Sequence, residues 1–195
     1  MDIVLASGSP RRKELLTQMG LTFRVVVSDA DETVDAALPP GEQVRIISRR
    51  KADATAALVG PEALVIAADT IVSLDGAVMG KPHSRAEAVE MLTRLSGNTH
   101  TVYTGFTLRK GEQIHTDTEA TAVTFRPLSE GEIAAYVDTG EPMDKAGAYG
   151  IQGVGALLVS GISGDYFNVM GFPVCRVGLA LKEFGVETLG GGSDG

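Results

Sequence analysis

Apolar residues along the chain follow two periods, and each period predicts a kind of element. Ile3 to Ala6 is a short apolar run suited to a buried strand, broken by the small-residue turn Ser7-Gly8-Ser9. Ser9 is of the N-cap type, Pro10 is pre-set for the first helical position, and Leu15, Leu16 and Met19 give the following helix a buried face before Gly20 stops it. Thr22 to Val27 reads as a second strand. Gly41 to Val59 has helical spacing, with Val44, Ile47, Ala54 and Leu58 roughly on one face. Leu64 to Ala68 is the most apolar run, which predicts a central strand covered on both faces and ended by Asp69-Thr70.

Farther along, Ile71–Leu74 and Ala77–Met79 flank Asp75-Gly76, a hairpin turn pair. Ser84 and Glu87 form a capping-box pattern ahead of Ala88, Met91, Leu92 and Leu95. Thr99 to Arg109 and Gln113 to Arg126 read as two long strands joined at Lys110-Gly111-Glu112, so the sheet is mixed. A second capping box, Ser129 with Glu132, starts a helix to about Thr139. Glu141 to Gly147 is a loop, and Tyr149 to Gly155 is rich in glycine, which lets backbone approach a ligand closely. Ala156–Ile162 and Asp165–Val169 read as a hairpin around Ser163-Gly164, and Pro173 begins a last helix ending near Gly185. No internal repeat or long linker interrupts the pattern. One domain over residues 1–189 is expected, with 190–195 a disordered glycine-rich tail.

Composition narrows the functional classes. The 195 residues carry a net charge of −8, which argues against a general nucleic-acid or anionic-membrane binder. A single cysteine, Cys175, excludes an intramolecular disulfide and a cysteine-rich zinc site. No secretory signal or membrane-length apolar run is visible, so a cytoplasmic location is expected. H-E-x-x-H and G-x-S-x-G are absent, and Gly153-Val154-Gly155 lacks the third glycine of a dinucleotide fingerprint.

Charge in the first helix is the oddity. Arg11 and Arg12 sit in its first turn, where the helix dipole is already positive and each cation is unfavourable by about 0.3–1 kcal/mol. A bound anion would reverse that sign, and helix N–H groups with the Ser7 and Ser9 hydroxyls could bind phosphate. Asp69, following five apolar residues, is the best candidate to take a proton from water or hold a metal; its alternative is a turn cap at a strand end. Glu32, in the acidic loop from Ser28 to Pro40, could add a second metal-binding carboxylate or lie in solvent. Lys81, between Gly80 and Pro82, could neutralise phosphate. Lys145 carries the same choice between ligand and solvent, and the Gln152 amide could read a base edge. Ser48-Arg49-Arg50-Lys51 matches S-x-x-K, but basic helix surface is the better description.

Ala6-Ser7-Gly8-Ser9-Pro10-Arg11-Arg12 resembles the signature opening of the Maf family of nucleoside triphosphate pyrophosphatases. Ala67-Ala68-Asp69-Thr70, Gly80-Lys81-Pro82 and Asp144 to Gly155 are similar to its later motifs in the same order, and Gly164-Asp165-Tyr166 and Gly171-Phe172-Pro173 also fit. The resemblance implies an α/β fold like that of the inosine triphosphate pyrophosphatases, with an elongated mixed sheet, flanking helices and two lobes around a cleft. It implies hydrolysis of a nucleoside triphosphate to monophosphate and pyrophosphate with a divalent metal, Mg²⁺ or Mn²⁺, by a homodimer; the acidic charge and the lack of a membrane-length run add the expectation of neither nucleic-acid nor membrane partners. Transferred by motif, Asp69, Glu32 and Lys81 are catalytic, with Glu32 and Asp69 on the metal. Ser7, Ser9, Arg11, Arg12, Lys81 and Lys145 bind substrate; Arg12, Thr70 and Gln152 set its choice. Tyr149-Gly150-Ile151-Gln152-Gly153 resembles the branch acting on dTTP and UTP, while a related branch prefers 7-methyl-GTP. The family is also linked to septum formation, so a non-enzymatic cell-division regulator is the alternative from another class.

Overall fold

A computed structural model describes residues 1–189; the expected tail at 190–195 lies outside the described residues. The strands are β1 (Ile3–Leu5), β2 (Arg24–Val25), β3 (Leu64–Leu74), β4 (Ala77–Met79), β5 (Thr99–Lys110), β6 (Gln113–Phe125) and β7 (Val159–Ser163). The helices are α1 (Pro10–Gln18), α2 (Pro40–Val59), α3 (Arg85–Leu95), α4 (Glu130–Asp138), α5 (Tyr166–Met170) and α6 (Val174–Glu183). All seven strands join one mixed sheet in the order β2-β1-β3-β5-β6-β7, with β4 paired to β3. β1 pairs in parallel with β2 and β3, whereas β3 with β4 and β6 with β7 are antiparallel. The fold is therefore α/β with flanking helices.

Two compact units partition the chain. The first takes Met1–Asp69, Thr104–Thr118 and the described residues from Gly171 to Leu189; the second takes Thr70–Tyr103 and Glu119–Met170.

In the first unit, Val4, Ala6, Val65 and Ala67 form one apolar cluster with Ala52 of α2 and with Ala63. Ile3, Leu5, Leu64, Ile66 and Ala68, on the opposite parity, are buried too, which is why these strands read as unbroken apolar runs. Helix α2 lies against β5 without a spacer. A Cβ on Gly105 would stand 2.4 Å from the backbone carbonyl of Val44, and Ser48 Oγ meets Thr107 Oγ1 at 3.1 Å. That approach selects the buried face of α2. It consists of Gln43, Val44, Ile47, Ser48, Ala52 and Thr55, whereas Leu58, expected inside, is 65% exposed and Ala54 is half-buried.

In the second unit, Asp75 and Gly76 both take positive φ (51° and 81°), the geometry of a two-residue hairpin turn, and Val72 pairs with Met79 across it. The Ser129–Glu132 capping box forms with both reciprocal bonds. Ser84 Oγ accepts from Glu87 N, but the Glu87 carboxylate reaches the backbone N–H of His83.

Four expected elements differ. The second strand shrinks to Arg24–Val25. Ser9 occupies the N-cap of α1, yet its hydroxyl makes no capping bond. β3 does not end at Asp69; it runs on to Leu74, because the polar pair interrupts the apolar pattern and not the ladder. The hairpin around Ser163-Gly164 is replaced by a 3-10 turn at Val154–Leu158, strand β7 and helix α5. Asp165 Oδ1 accepts from Phe167 N at 2.8 Å, the local bond that favours a helix start over a strand.

Candidate active site

The period of a strand decides where Asp69 goes. Val65, Ala67 and Asp69 share the β3 face that packs on Ala52, so the carboxylate emerges beside α2 at the point where Lys51 leaves the helix. Lys51 Nζ donates to Asp69 Oδ1 at 2.8 Å and forms an ion pair with Glu32 Oε1 at 3.1 Å. The lysine and Asp69 side chains are only 16% and 13% exposed, while that of Glu32 is 60% exposed. One ammonium thus holds two carboxylates from separate segments and offsets their mutual repulsion.

The acidic loop is held by the same helix. Ser28 Oγ and Thr55 Oγ1 are 3.0 Å apart, Arg50 donates to the carbonyl of Thr33, and Gln43 Nε2 donates to that of Leu38 at 2.8 Å. Glu32 is therefore carried on a segment fastened at three places to α2.

Arg12 completes this cluster. Its Nη1 donates to Ser7 Oγ at 3.1 Å and its Nε to the carbonyl of Gly171 at 2.9 Å. Burial draws the Arg12 guanidinium below its ordinary pKa, Asp69 and Glu32 oppose that shift, and Arg11 adds to it. Even so, a guanidinium stays charged throughout the physiological range. Ser7 Oγ also accepts from Ser9 N at 3.2 Å, so Ser7, not Ser9, organises the turn. The first turn of α1 contains no acidic residue. Ser7, Arg12, Glu32 and Asp69 thus come together in the first unit, with Arg11 beside Arg12.

Lys51 is the member of this cluster that sequence reasoning missed. A signal existed: Val44, Ile47 and Lys51 follow i, i+3, i+7, which places the lysine on the buried face of α2.

The remaining candidates belong to the second unit. Thr70 follows Asp69 in β3 and is half-buried. Lys81 is exposed, in a turn fixed by the buried Pro82 and by the bond from Gly147 N to Gly80 O at 3.0 Å. Lys145 is more engaged: its Nζ donates to the Glu141 carbonyl and to Asp144 Oδ1, both at 2.8 Å. Gln152 is exposed between the buried Ile151 and the exposed Gly153. The approach to this loop is strained. Gly147 and the fully buried Ala148 take φ of 69° and 59°, and a left-handed alanine costs about 1–2 kcal/mol. Next to it, the Tyr149 hydroxyl lies 2.7 Å from His100 Nε2.

For a divalent metal, the fit rests on Asp69 and Glu32, hard-oxygen donors already converging on one cation, the Lys51 ammonium. Among the described residues no group of three or more His, Cys, Asp or Glu could hold a metal by itself. Two carboxylates supplemented by substrate phosphates and water is a normal arrangement for Mg²⁺. Also among the described residues, no helix is long and apolar enough to cross a membrane.

Comparison with known proteins adds a family. The chain matches the Maf-like protein family over residues 2–184. It is 53% identical over 191 residues to a dTTP/UTP pyrophosphatase of Moorella thermoacetica, covering 96% of this chain and 97% of that protein. It is 51% identical to one of Symbiobacterium thermophilum, with 98% of each covered. The Ham1 protein of Staphylococcus aureus aligns with a TM-score of 0.48 at 16% identity, over 64% of this chain and 72% of that one.

Proposed function

Because the chain belongs to the Maf family, we propose that it hydrolyses dTTP and UTP to the nucleoside monophosphate and pyrophosphate. The observation that carries the proposal is the Lys51 ammonium shared by Asp69 and Glu32, with Arg12 beside them. Hydrolysis of a phosphoanhydride asks for charge neutralisation and an aligned water more than for a covalent nucleophile. Arg11, Arg12, Ser7, Ser9 and the N–H groups opening α1 bind the phosphates, and Lys81 contributes a further charge. Asp69, aimed by Lys51, takes a proton from the attacking water. The water oxygen bonds to the α-phosphorus, the bond to the bridging oxygen breaks, and pyrophosphate leaves with the electron pair. Glu32 and Asp69 would hold a bound Mg²⁺ or Mn²⁺, which would supply further neutralisation of phosphate charge. Lys145, already bonded to Glu141 and Asp144, acts on substrate only by exchanging one of those partners for phosphate.

Substrate choice is assigned to Arg12, Thr70 and Gln152. A glutamine amide offers a donor and an acceptor, matching the N3–H and a carbonyl of uracil or thymine. We further propose that residues 1–189 form one catalytic domain, since neither unit is a continuous segment and the chain passes between them four times. It works as a cytoplasmic homodimer on free nucleotides, without nucleic acid or membrane.

The test is pyrophosphate release from dTTP, UTP, CTP, GTP, 7-methyl-GTP and ATP, with and without excess chelator. The expected result is preference for dTTP and UTP, loss of turnover in chelator, and selective loss of both substrates in Gln152→Glu. Preference for 7-methyl-GTP or another purine would overturn the base assignment. Turnover in excess chelator would remove the metal, and no turnover of any nucleotide would leave a partner-binding regulator.

A further inference from the structure

The glycine-rich segment that carries Gln152 is held from beneath by a carboxylate with no part in the phosphate chemistry. Glu141 opens a 3-10 turn, Glu141–Asp144, directly after α4. Its Oε2 accepts from Val154 N at 2.9 Å; its Oε1 accepts from Gly155 N at 3.0 Å and from the Tyr136 hydroxyl at 2.9 Å. That hydroxyl in turn accepts from Gly150 N at 3.1 Å. Three backbone N–H groups on both sides of Gln152 therefore end, directly or through one tyrosine, on a single side chain.

The glycines let the segment pack closely on this carboxylate. A Cβ on Gly153 would stand 2.3 Å from Glu141 Oε2, and one on Gly155 would stand 2.6 Å from the Tyr136 hydroxyl. One on Gly150 would stand 2.6 Å from Lys145 Cε, whose ammonium is bonded to the Glu141 carbonyl. A side chain at Gly155 would meet the Gly150 carbonyl, whereas one at Gly150 or Gly153 would displace the Lys145 or Glu141 side chain and break the bonds they make. Burial pushes the Glu141 carboxyl up, but the bonds from Gly155, Val154 and Tyr136 outweigh it and hold it below its ordinary pKa. The carboxylate is ionised at neutral pH, where charge-assisted bonds to N–H are strongest. Tyr149 and Ile151 are buried, and Gln152 opens the exposed stretch Gln152-Gly153-Val154 of this fastened segment.

We propose that Glu141 is a positioning residue for base discrimination: through Val154, Gly155 and, by way of Tyr136, Gly150, it fixes the backbone from which Gln152 projects. The proposal rests on the reading of Gln152 as the group that contacts the base. A flexible amide would accept several base edges at reduced affinity, whereas one held in place rejects those that leave it unpaired.

The test compares wild type with Glu141→Gln, Tyr136→Phe and Gln152→Ala in two measurements. One is kcat/KM for dTTP, UTP, CTP and GTP; the other is amide hydrogen exchange at Gly150, Val154 and Gly155. Glu141→Gln keeps shape and one acceptor but turns an N–H toward Val154 N–H. The expected result is at least tenfold faster exchange at Val154 and Gly155, and at Gly150 in Tyr136→Phe. The preference for dTTP over CTP and GTP should fall about tenfold, mainly through KM for dTTP, with kcat at saturation within threefold of wild type. Merely structural damage would lower kcat for every nucleotide alike and leave the preference intact. Unchanged exchange at all three amides would overturn the inference, as would faster exchange with an unchanged preference. If Gln152→Ala alone leaves the preference intact, it is the reading of Gln152 that fails. If Gln152→Ala alters the preference and Glu141→Gln does not, only the positioning role fails.

Discussion

At the scale of single residues, the consequential contact is the 2.8 Å bond from Lys51 to Asp69. Asp69→Asn keeps shape and loses both charge and basicity, so turnover should fall by at least 10³-fold, within the range a positioned base and its electrostatics supply together. Lys51→Met keeps the aliphatic stem but removes the cation between two carboxylates. It should lower kcat by about 10²-fold, a weaker loss because the base survives but is no longer aimed. Steady-state kinetics on protein of unchanged circular dichroism checks both. Near-normal turnover in Asp69→Asn would remove that residue from the chemistry. Asp69 stood out because a carboxylate directly after five apolar residues is conspicuous. Lys51 was hidden in a basic run, and a cation gains significance only when its partners, 18 and 19 residues away in sequence, are brought to it.

At the scale of elements, α2 matters most, since it faces β5 through Gly105, carries Lys51 and fastens the loop holding Glu32. Gly105→Ala would place a methyl against the Val44 carbonyl, an obstacle that no rotamer change relieves. The expected destabilisation is about 3 kcal/mol, the upper part of the overpacking range, with lower activity as α2 and its lysine shift. Gly131→Ala is the control: it lies in α4 with nothing within 4 Å of the added carbon, and should be neutral or stabilising by up to about 1 kcal/mol. Urea denaturation of the two variants gives the comparison, and equal stability would contradict the tight packing of α2 on β5.

At the scale of the whole molecule, stability should depend on pH in two windows. Burial lowers His100 from 6.5 to about 4, so the folded protein keeps it neutral. Between those values the unfolded chain binds the proton and the folded one does not, so stability falls as pH drops from about 6.5. From pH 7 to 5 the loss from this group is about 2 kcal/mol, and it levels off only below about pH 4. Carboxylates act lower. Glu132, bonded by Arg126 and the Ser129 N–H and hydroxyl, is held at about 2, so its contribution is present above about 4.5 and fades as pH falls toward 2. Replacing His100 with Gln should flatten the first window and leave the second. Denaturant titrations at pH 7, 5.5 and 5 measure it, and an unchanged slope would mean that His100 protonates without penalty.

The order and kind of most elements follow from the sequence alone, because they rest on local physics. Apolar runs mark doubly covered strands, Asp75-Gly76 sets a hairpin, and Ser129 with Glu132 caps a helix. The phosphate-side and base-side candidates, from Ser7 to Gln152, also stand out as residue types in turns. Tertiary structure decides what long-range partners impose. Asp69 lies within a continuous β3 because ladder bonds to neighbouring strands outrank a local break in hydrophobicity. Asp165 starts a helix instead of closing a hairpin where its backbone N–H donates to Thr121 Oγ1 and its carbonyl accepts from that hydroxyl, both at 3.1 Å, a partner 44 residues away. Leu58 faces outward because the approach of α2 at Gly105 chooses another face. Lys51, Glu32 and Asp69 become a cluster only when α2, its fastened loop and β3 converge, for the energy of an ion pair depends on distance in space and burial, neither of which is a property of position along the chain.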